Sequence, residues 1–352
     1  MTEKWLLNFS SAAPGGALKR LIETAAWFDE RSGAAFIVSE KALSNVSHLN
    51  KKNRYFPVKQ TKFRRLFRDG AYLPQILKEV GDPDVYFSYN LPLFGRIGKV
   101  NWVHFSNALT LTFSRHHMPL IRFLAVRILG YRLCKSTRFA STVSCESEFS
   151  LGLLRKRVAG IAKNAHLRIL GNGCNEDVLK DSLQQTNPGS LPLRRYALTI
   201  GTAGYKRIGE VFRAFQRLNE MSGAENLETL KIIGNQRGIP RAIAEHPRVE
   251  CLGAGVPDSE FYPLIANAAC YISASEIENS SVAVLESMAL AEKCLLSDIP
   301  SHREACAGLD IVNLHEHGID YLLVDCAAHR DKIAIPTWAD IVGDMYNSAH
   351  AK

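Results

Sequence analysis

ACYISASEIENSSVAVLESMALAEKCLLSDIP, residues 269–300, carries the reading on which the fold turns. The β-branched and aromatic pair Tyr271-Ile272 ends in small polar residues. Asn279, Ser280 and Ser281 are N-cap types, and a helix-forming run continues from Val282 to about Ala291. This is a strand–loop–helix unit whose loop holds Glu278. The first-turn amides of residues 279–282 and the positive end of the helix dipole suit an anion such as a diphosphate. Glu286 interrupts a helix that is apolar on nearly every side. A carboxylate buried there costs several kcal/mol unless it is hydrogen-bonded, and ligand hydroxyls are natural partners.

Outward from this stretch, the chain twice reads as strands alternating with helices. Lys4–Ser10 is a strand, Ser11–Ala17 a glycine-containing turn, Leu18–Phe28 an amphipathic helix and Ala34–Ser39 a second strand, the opening of a Rossmann-type unit. Further strands are expected at Val85–Tyr89, Val100–Phe105, Phe139–Cys145 and Leu167–Leu170. The pattern restarts after Asn187-Pro188-Gly189-Ser190, the best linker signal. Strands follow at Tyr196–Gly201, Leu230–Gly234, Val249–Leu252, Cys270–Ser273 and Cys294–Ser297, with a helix over 206–220. The segment 119–135 reads as mainly buried, its Arg122, Arg127, Arg132 and Lys135 spread round the helix. Two doubly wound α/β halves are expected.

Glu278 and Glu286, with seven residues between them, precede Ser287-Met288-Ala289 and an apolar strand ending Ser297-Asp298-Ile299-Pro300-Ser301-His302-Arg303-Glu304. This context resembles the nucleotide-sugar site of family 4 of the retaining glycosyltransferases, which have the GT-B fold. The resemblance implies two Rossmann-like domains facing across a cleft. Residues 1–187 would bind acceptor and 188–335 donor, with a terminal helix in 336–352 crossing back to the first domain. It further implies transfer of a sugar from a UDP or GDP sugar to a hydroxyl of a lipid-linked or oligosaccharide acceptor, as in bacterial surface-polysaccharide or lipopolysaccharide assembly, without metal or cofactor.

By the same resemblance, Glu278 would hold sugar hydroxyls and Glu286 the ribose. Lys206 and the amides of Asn279, Ser280, Ser281 and Val282 would hold the diphosphate. The family's Arg is absent: Thr202 stands in its place, and Arg207 is the substitute. Gly15 and Gly16 occupy the glycine loop that faces the donor, His104 ends a strand at the position of an active-site histidine, and Gly253 and Val256 lie in the base-binding loop. Asp82-Pro83-Asp84 precedes a first-half strand and is not read as a metal motif. Two rivals remain: a GT-B nucleotide-sugar epimerase, and a non-catalytic glycosyltransferase-like partner recruited to a membrane.

At 352 residues, 46% hydrophobic and 22% charged, the chain has the composition of a globular protein of two domains. The opening residues lack a basic stretch followed by a long apolar one, so a cytoplasmic protein is expected. The eight cysteines are scattered, without metal spacing, and read as reduced core thiols. The net charge of +8 is unevenly distributed: residues 1–170 hold 27 Lys+Arg against 11 Asp+Glu, and the remainder 16 against 24. A basic first half suits the anionic cytoplasmic face of the inner membrane or a lipid-linked pyrophosphate; no nucleic-acid partner is expected. Thr61–Arg68 (TKFRRLFR), with Phe63, Leu66 and Phe67 on one face, is expected to be a membrane-surface helix.

Overall fold

Strands in both halves of the computed structural model are near-continuous apolar runs, and each sheet is covered on both faces, as parallel sheets require. Residues 4–59, 71–185, 196–221, 227–316, 318–333 and 335–350 are described. They divide into two units: residues 1–115, 119–173 and 338–352 in one, residues 116–118 and 174–337 in the other.

The first unit holds β1 (Trp5–Phe9), β2 (Ala35–Ser39), β3 (Arg54–Val58), β4 (Val85–Tyr89), β5 (Val100–Phe105), β6 (Thr142–Cys145) and β7 (His166–Ile169). They pair in parallel in the order β3-β2-β1-β4-β5-β6-β7. Alternation along β1 feeds two cores: Trp5, Leu7 and Phe9 enter one, Leu6 the other. The terminal helix Trp338–His350 belongs to this unit and packs on the helix Gly16–Glu30. There Tyr346 stacks on Trp5 at 5.5 Å and lies 5.2 Å from Trp27.

The second unit holds β8 (Tyr196–Ile200), β9 (Thr229–Ile233), β10 (Val249–Gly253), β11 (Cys270–Ser273), β12 (Lys293–Ser297), β13 (Ile311–Glu316) and β14 (Ile319–Asp325), in the order β10-β9-β8-β11-β12-β14-β13. β8 to β12 are parallel, and β14 and β13 extend the sheet as an antiparallel hairpin.

The expected linker at 187–190 lies outside the described residues. The units part at Gly173/Cys174 and not at 187/188, because the helix Glu176–Gln185 packs on the helices Asp258–Ala266 and Val282–Leu290 of the second unit. The return falls at Thr337/Trp338, where Cys174 bridges Thr337. The cysteines are all free, and only Cys251 is less than fully buried. Thr61–Arg68 also lies outside the described residues. Helix Leu120–Ser136 departs from the expectation of a mainly buried segment, since Leu120, Ile121, Leu124, Ile128 and Tyr131 are exposed.

Candidate functional site

In the second sheet the strand order reverses between β8 and β11. Open α/β sheets place ligands at the carboxyl ends of strands at such a switch point. The loop after β8 carries Lys206, and the loop after β11 carries Glu278. Lys206 Nζ lies 2.5 Å from Glu278 Oε1, with the two side chains only 13% and 11% exposed. Burial works against the Lys206 charge, but the Glu278 carboxylate outweighs it and holds the ammonium above its ordinary value. Ser275 Oγ donates to the same Glu278 oxygen at 2.8 Å. The helix Val282–Leu290 begins four residues after Glu278, and the Ser281 side chain makes no cap to its first turn. A buried cation, a carboxylate and a helix N-terminus without a side-chain cap therefore share one sheet edge.

Behind the pair, Ser297 Oγ donates to the Ser275 carbonyl at 2.6 Å, and His302 Nδ1 donates to the Ser297 carbonyl at 2.7 Å. His302 is 1% exposed, and its Nε2 has no hydrogen-bond partner. Burial lowers its pKa to about 4, against the pull of Glu278, so the ring is neutral with its lone pair on Nε2. Sequence reasoning quoted His302 but gave it no part; its burial near Glu278 is a tertiary fact.

Glu286 is 1% exposed on the helix Val282–Leu290 and accepts from the Tyr262 hydroxyl at 3.0 Å. Tyr262, on the facing helix Asp258–Ala266, is a partner the sequence did not reveal. Gly253 (φ +75) ends β10, the strand beside β9, and Val256 packs from the loop that follows into the core.

Thr202 and Arg207 have structural employment. A Cβ on Gly238 would stand 2.1 Å from the Thr202 carbonyl oxygen, and one on Gly234 would stand 2.6 Å from its methyl group. Thr202 Oγ1 donates to the Asn235 carbonyl at 2.8 Å. The place of the family's Arg is thus filled by a close-packed turn. Arg207, left-handed at φ +52, pairs with Glu276 at 2.8 Å and Glu210 at 2.6 Å. Its guanidinium is committed to those carboxylates, so it is not brought to Glu278 as a second clamp. His117 Nδ1 pairs with Glu276 at 2.6 Å, and His116 lies 3.8 Å away. Both histidines have positive φ (53° and 43°), a strain that no sequence signal announced beyond their adjacency.

In the first unit, Gly15 caps the helix Gly16–Glu30 at φ +108, and a Cβ there would meet nothing within 4 Å. It is required by backbone conformation, not by crowding. Gly16 opens that helix after β1, beside the β1/β4 reversal. His104 is the penultimate residue of β5, and its ring is 0% exposed, stacked on Phe87 and Tyr89. Nδ1 meets Ser144 Oγ at 2.8 Å and Nε2 lies 3.5 Å from buried Glu146, which is itself 3.7 Å from Arg20. Burial first, then Arg20, holds its pKa well below the usual value. The expected sugar contact is not open to so enclosed a ring. Asn172 is a turn residue that accepts from Arg20 at 2.9 Å. Asp84 serves structure, accepting from the Lys4 amide and pairing with Lys99 at 2.6 Å. Among the described residues no cluster of three or more His, Cys, Asp or Glu could hold a metal.

No protein-family model and no curated protein matches the sequence. Solved structures do resemble it. A UDP-forming α,α-trehalose-phosphate synthase from Burkholderia xenovorans, in complex with glucose-6-phosphate, aligns at TM-score 0.66 and 12% identity over 99% of this chain and 100% of its own. Sucrose-phosphate synthase from Thermosynechococcus elongatus gives 0.61 and 13% over 99% and 100%. Anabaena HepE, in complex with UDP and glucose, gives 0.52 and 16% over 82% and 78%. With two doubly wound units and a terminal helix returned to the first, the chain has the GT-B fold of these glycosyltransferases.

Proposed function

We propose that the protein is a retaining, metal-independent glycosyltransferase of family 4, moving a sugar from a UDP or GDP sugar to a hydroxyl of a lipid-linked or oligosaccharide acceptor in surface-polysaccharide assembly. The second unit binds the donor and the first the acceptor. The observation that carries this reading is the buried Lys206–Glu278 pair at the β8/β11 reversal, beside the start of the helix Val282–Leu290. That HepE binds UDP and UDP-glucose supports the donor class.

In this reading Lys206 and Glu278 pair with each other until a donor arrives. An entering diphosphate takes Lys206 and the amides of residues 279–282, which frees the Glu278 carboxylate to accept from sugar hydroxyls. Glu286 holds the ribose and the Gly253–Val256 loop meets the base. The bond between the anomeric carbon and the phosphate oxygen lengthens first, and the growing charge on the phosphate is met by Lys206 and the helix amides. The acceptor hydroxyl attacks from the face the phosphate leaves, forming the new glycosidic bond, and its proton passes to the departing phosphate oxygen. His104, Arg20 and Glu146 position the first-unit strand ends and do not touch sugar.

The test is to incubate the protein with UDP and GDP sugars, with and without a lipid-linked oligosaccharide pool, and to follow nucleoside diphosphate release and anomeric configuration by NMR. Acceptor-dependent release with retained configuration is expected. Sugar isomerisation without acceptor would replace the transferase by an epimerase.

A further inference from the structure

The helix Leu120–Ser136 has two apolar faces. One is committed to the core through Leu129, Leu133 and Cys134. The other is bare: Leu120, Ile121, Leu124, Ile128 and Tyr131 are 56%, 85%, 51%, 41% and 63% exposed. At the α-helical advance of about 100° per residue these five fall within an arc of roughly 100°, opposite the buried set. By the same geometry Arg127 and Arg132 flank the arc on its two sides, Lys135 lies at its C-terminal end, and the helix has no Asp or Glu. Phe113, 70% exposed, sits against the guanidinium groups of Arg127 at 4.2 Å and Arg157 at 3.8 Å.

The charge around this face has one sign. From Arg115 to Lys163 there are ten Lys+Arg against Glu146 and Glu148, and Glu146 is buried. Beside the helix runs a groove of about 540 Å³ lined by Tyr131, Lys135, Arg138, Arg157 and Ile161, cations and apolar groups together. Five bare apolar side chains inside a cationic frame match the boundary of an anionic bilayer, where acyl chains take the apolar stripe and headgroup phosphates take the frame. A second copy of this chain would bring like charges together. No described helix is long and apolar enough to cross a membrane, so the contact is with one surface.

We propose that this face of the first unit docks the protein on an anionic lipid bilayer, with the helix Leu120–Ser136 lying in the interface and the adjoining groove taking headgroup phosphate. The sequence alone pointed instead to Thr61–Arg68. The docking stands independently of the transferase reading, because it is measured without nucleotide.

Flotation with vesicles of phosphatidylcholine, with and without phosphatidylglycerol, tests it. The wild type is expected to float only with the anionic vesicles. Ile121→Asp with Leu124→Asp should cut partitioning roughly tenfold or more even at low salt, and Lys135→Glu with Arg138→Glu, at two exposed cations of the groove, should do so at low salt. Circular dichroism and thermal melting check the fold, and Ile121→Ser with Leu124→Ser provides a milder variant. Undiminished flotation of the folded apolar variants would overturn the proposal. So would release by charge reversal only at Lys62, Arg64, Arg65 and Arg68, or a wild-type dimer that ignores vesicles and is split by the Asp variant. Nucleoside diphosphate binding is titrated in parallel, so that its failure beside intact flotation strikes the transferase reading alone.

Discussion

Lys206 and Glu278 face each other from two loops, and each charge offsets part of the several kcal/mol that burying the other would cost. Each residue was legible by itself, Glu278 from its spacing to Glu286 and Lys206 from its place after a strand, but their ion pair was not. Nor was the support behind it, because Tyr262 and His302 arrive from other elements. Glu286→Ala should weaken nucleoside diphosphate binding by about 1–3 kcal/mol in calorimetry, through the lost ribose bonds, and unchanged affinity would remove Glu286 from the site. His302 makes a pH prediction. Its pKa is depressed to about 4 when folded, so below the ordinary value near 6.5 the unfolded chain binds a proton that the native state does not. The contribution is fully present above pH 6.5 and is lost as pH falls towards 4, amounting to roughly 3 kcal/mol. Denaturant titrations should show that loss in the wild type and a flatter profile in His302→Gln.

At the scale of elements, the turn Gly201–Arg207 shows how a departure from family pattern can be structural. Thr202 lies in the space left by Gly234 and Gly238, where a larger side chain has no room. Thr202→Arg should therefore destabilise the protein by about 1–3 kcal/mol in melting experiments and fail to tighten nucleotide binding. A stable variant with higher affinity would restore the missing clamp and contradict this account. Gly238→Ala should be at least as costly, because its Cβ meets backbone. Apolar strands flanked by clear turns were readable within a residue or two, such as β4, β5 and β11. β3 was not, as an edge strand carrying Pro57. The β13–β14 hairpin was missed too, since Val312, Asn313 and His315 are exposed along the edge strand β13 and break the apolar pattern. Helix Leu120–Ser136 was misjudged because apolar residues on all sides look the same whether one face is covered or both.

Across the whole molecule the charge divides with the halves, the basic one bearing the helix Leu120–Ser136 with its exposed apolar face and the acidic one the Lys206–Glu278 pair. With one buried ammonium and helix amides to meet the leaving diphosphate, transfer should survive excess EDTA in the release assay. Loss restored specifically by Mn²⁺ or Mg²⁺ would show a metal where Lys206 is assigned. The claim that the β8/β11 reversal is a nucleotide-sugar donor site is tested most directly by titrating UDP, GDP and TDP calorimetrically into wild type, Lys206→Ala and Glu278→Ala. The account predicts that the wild type binds at least one of them and that Lys206→Ala weakens it by roughly tenfold or more. Glu278→Ala should bind it as well or better, because the lysine no longer has to leave a carboxylate. A wild type that binds no nucleoside diphosphate, or a Lys206→Ala variant that binds as tightly, would contradict the account.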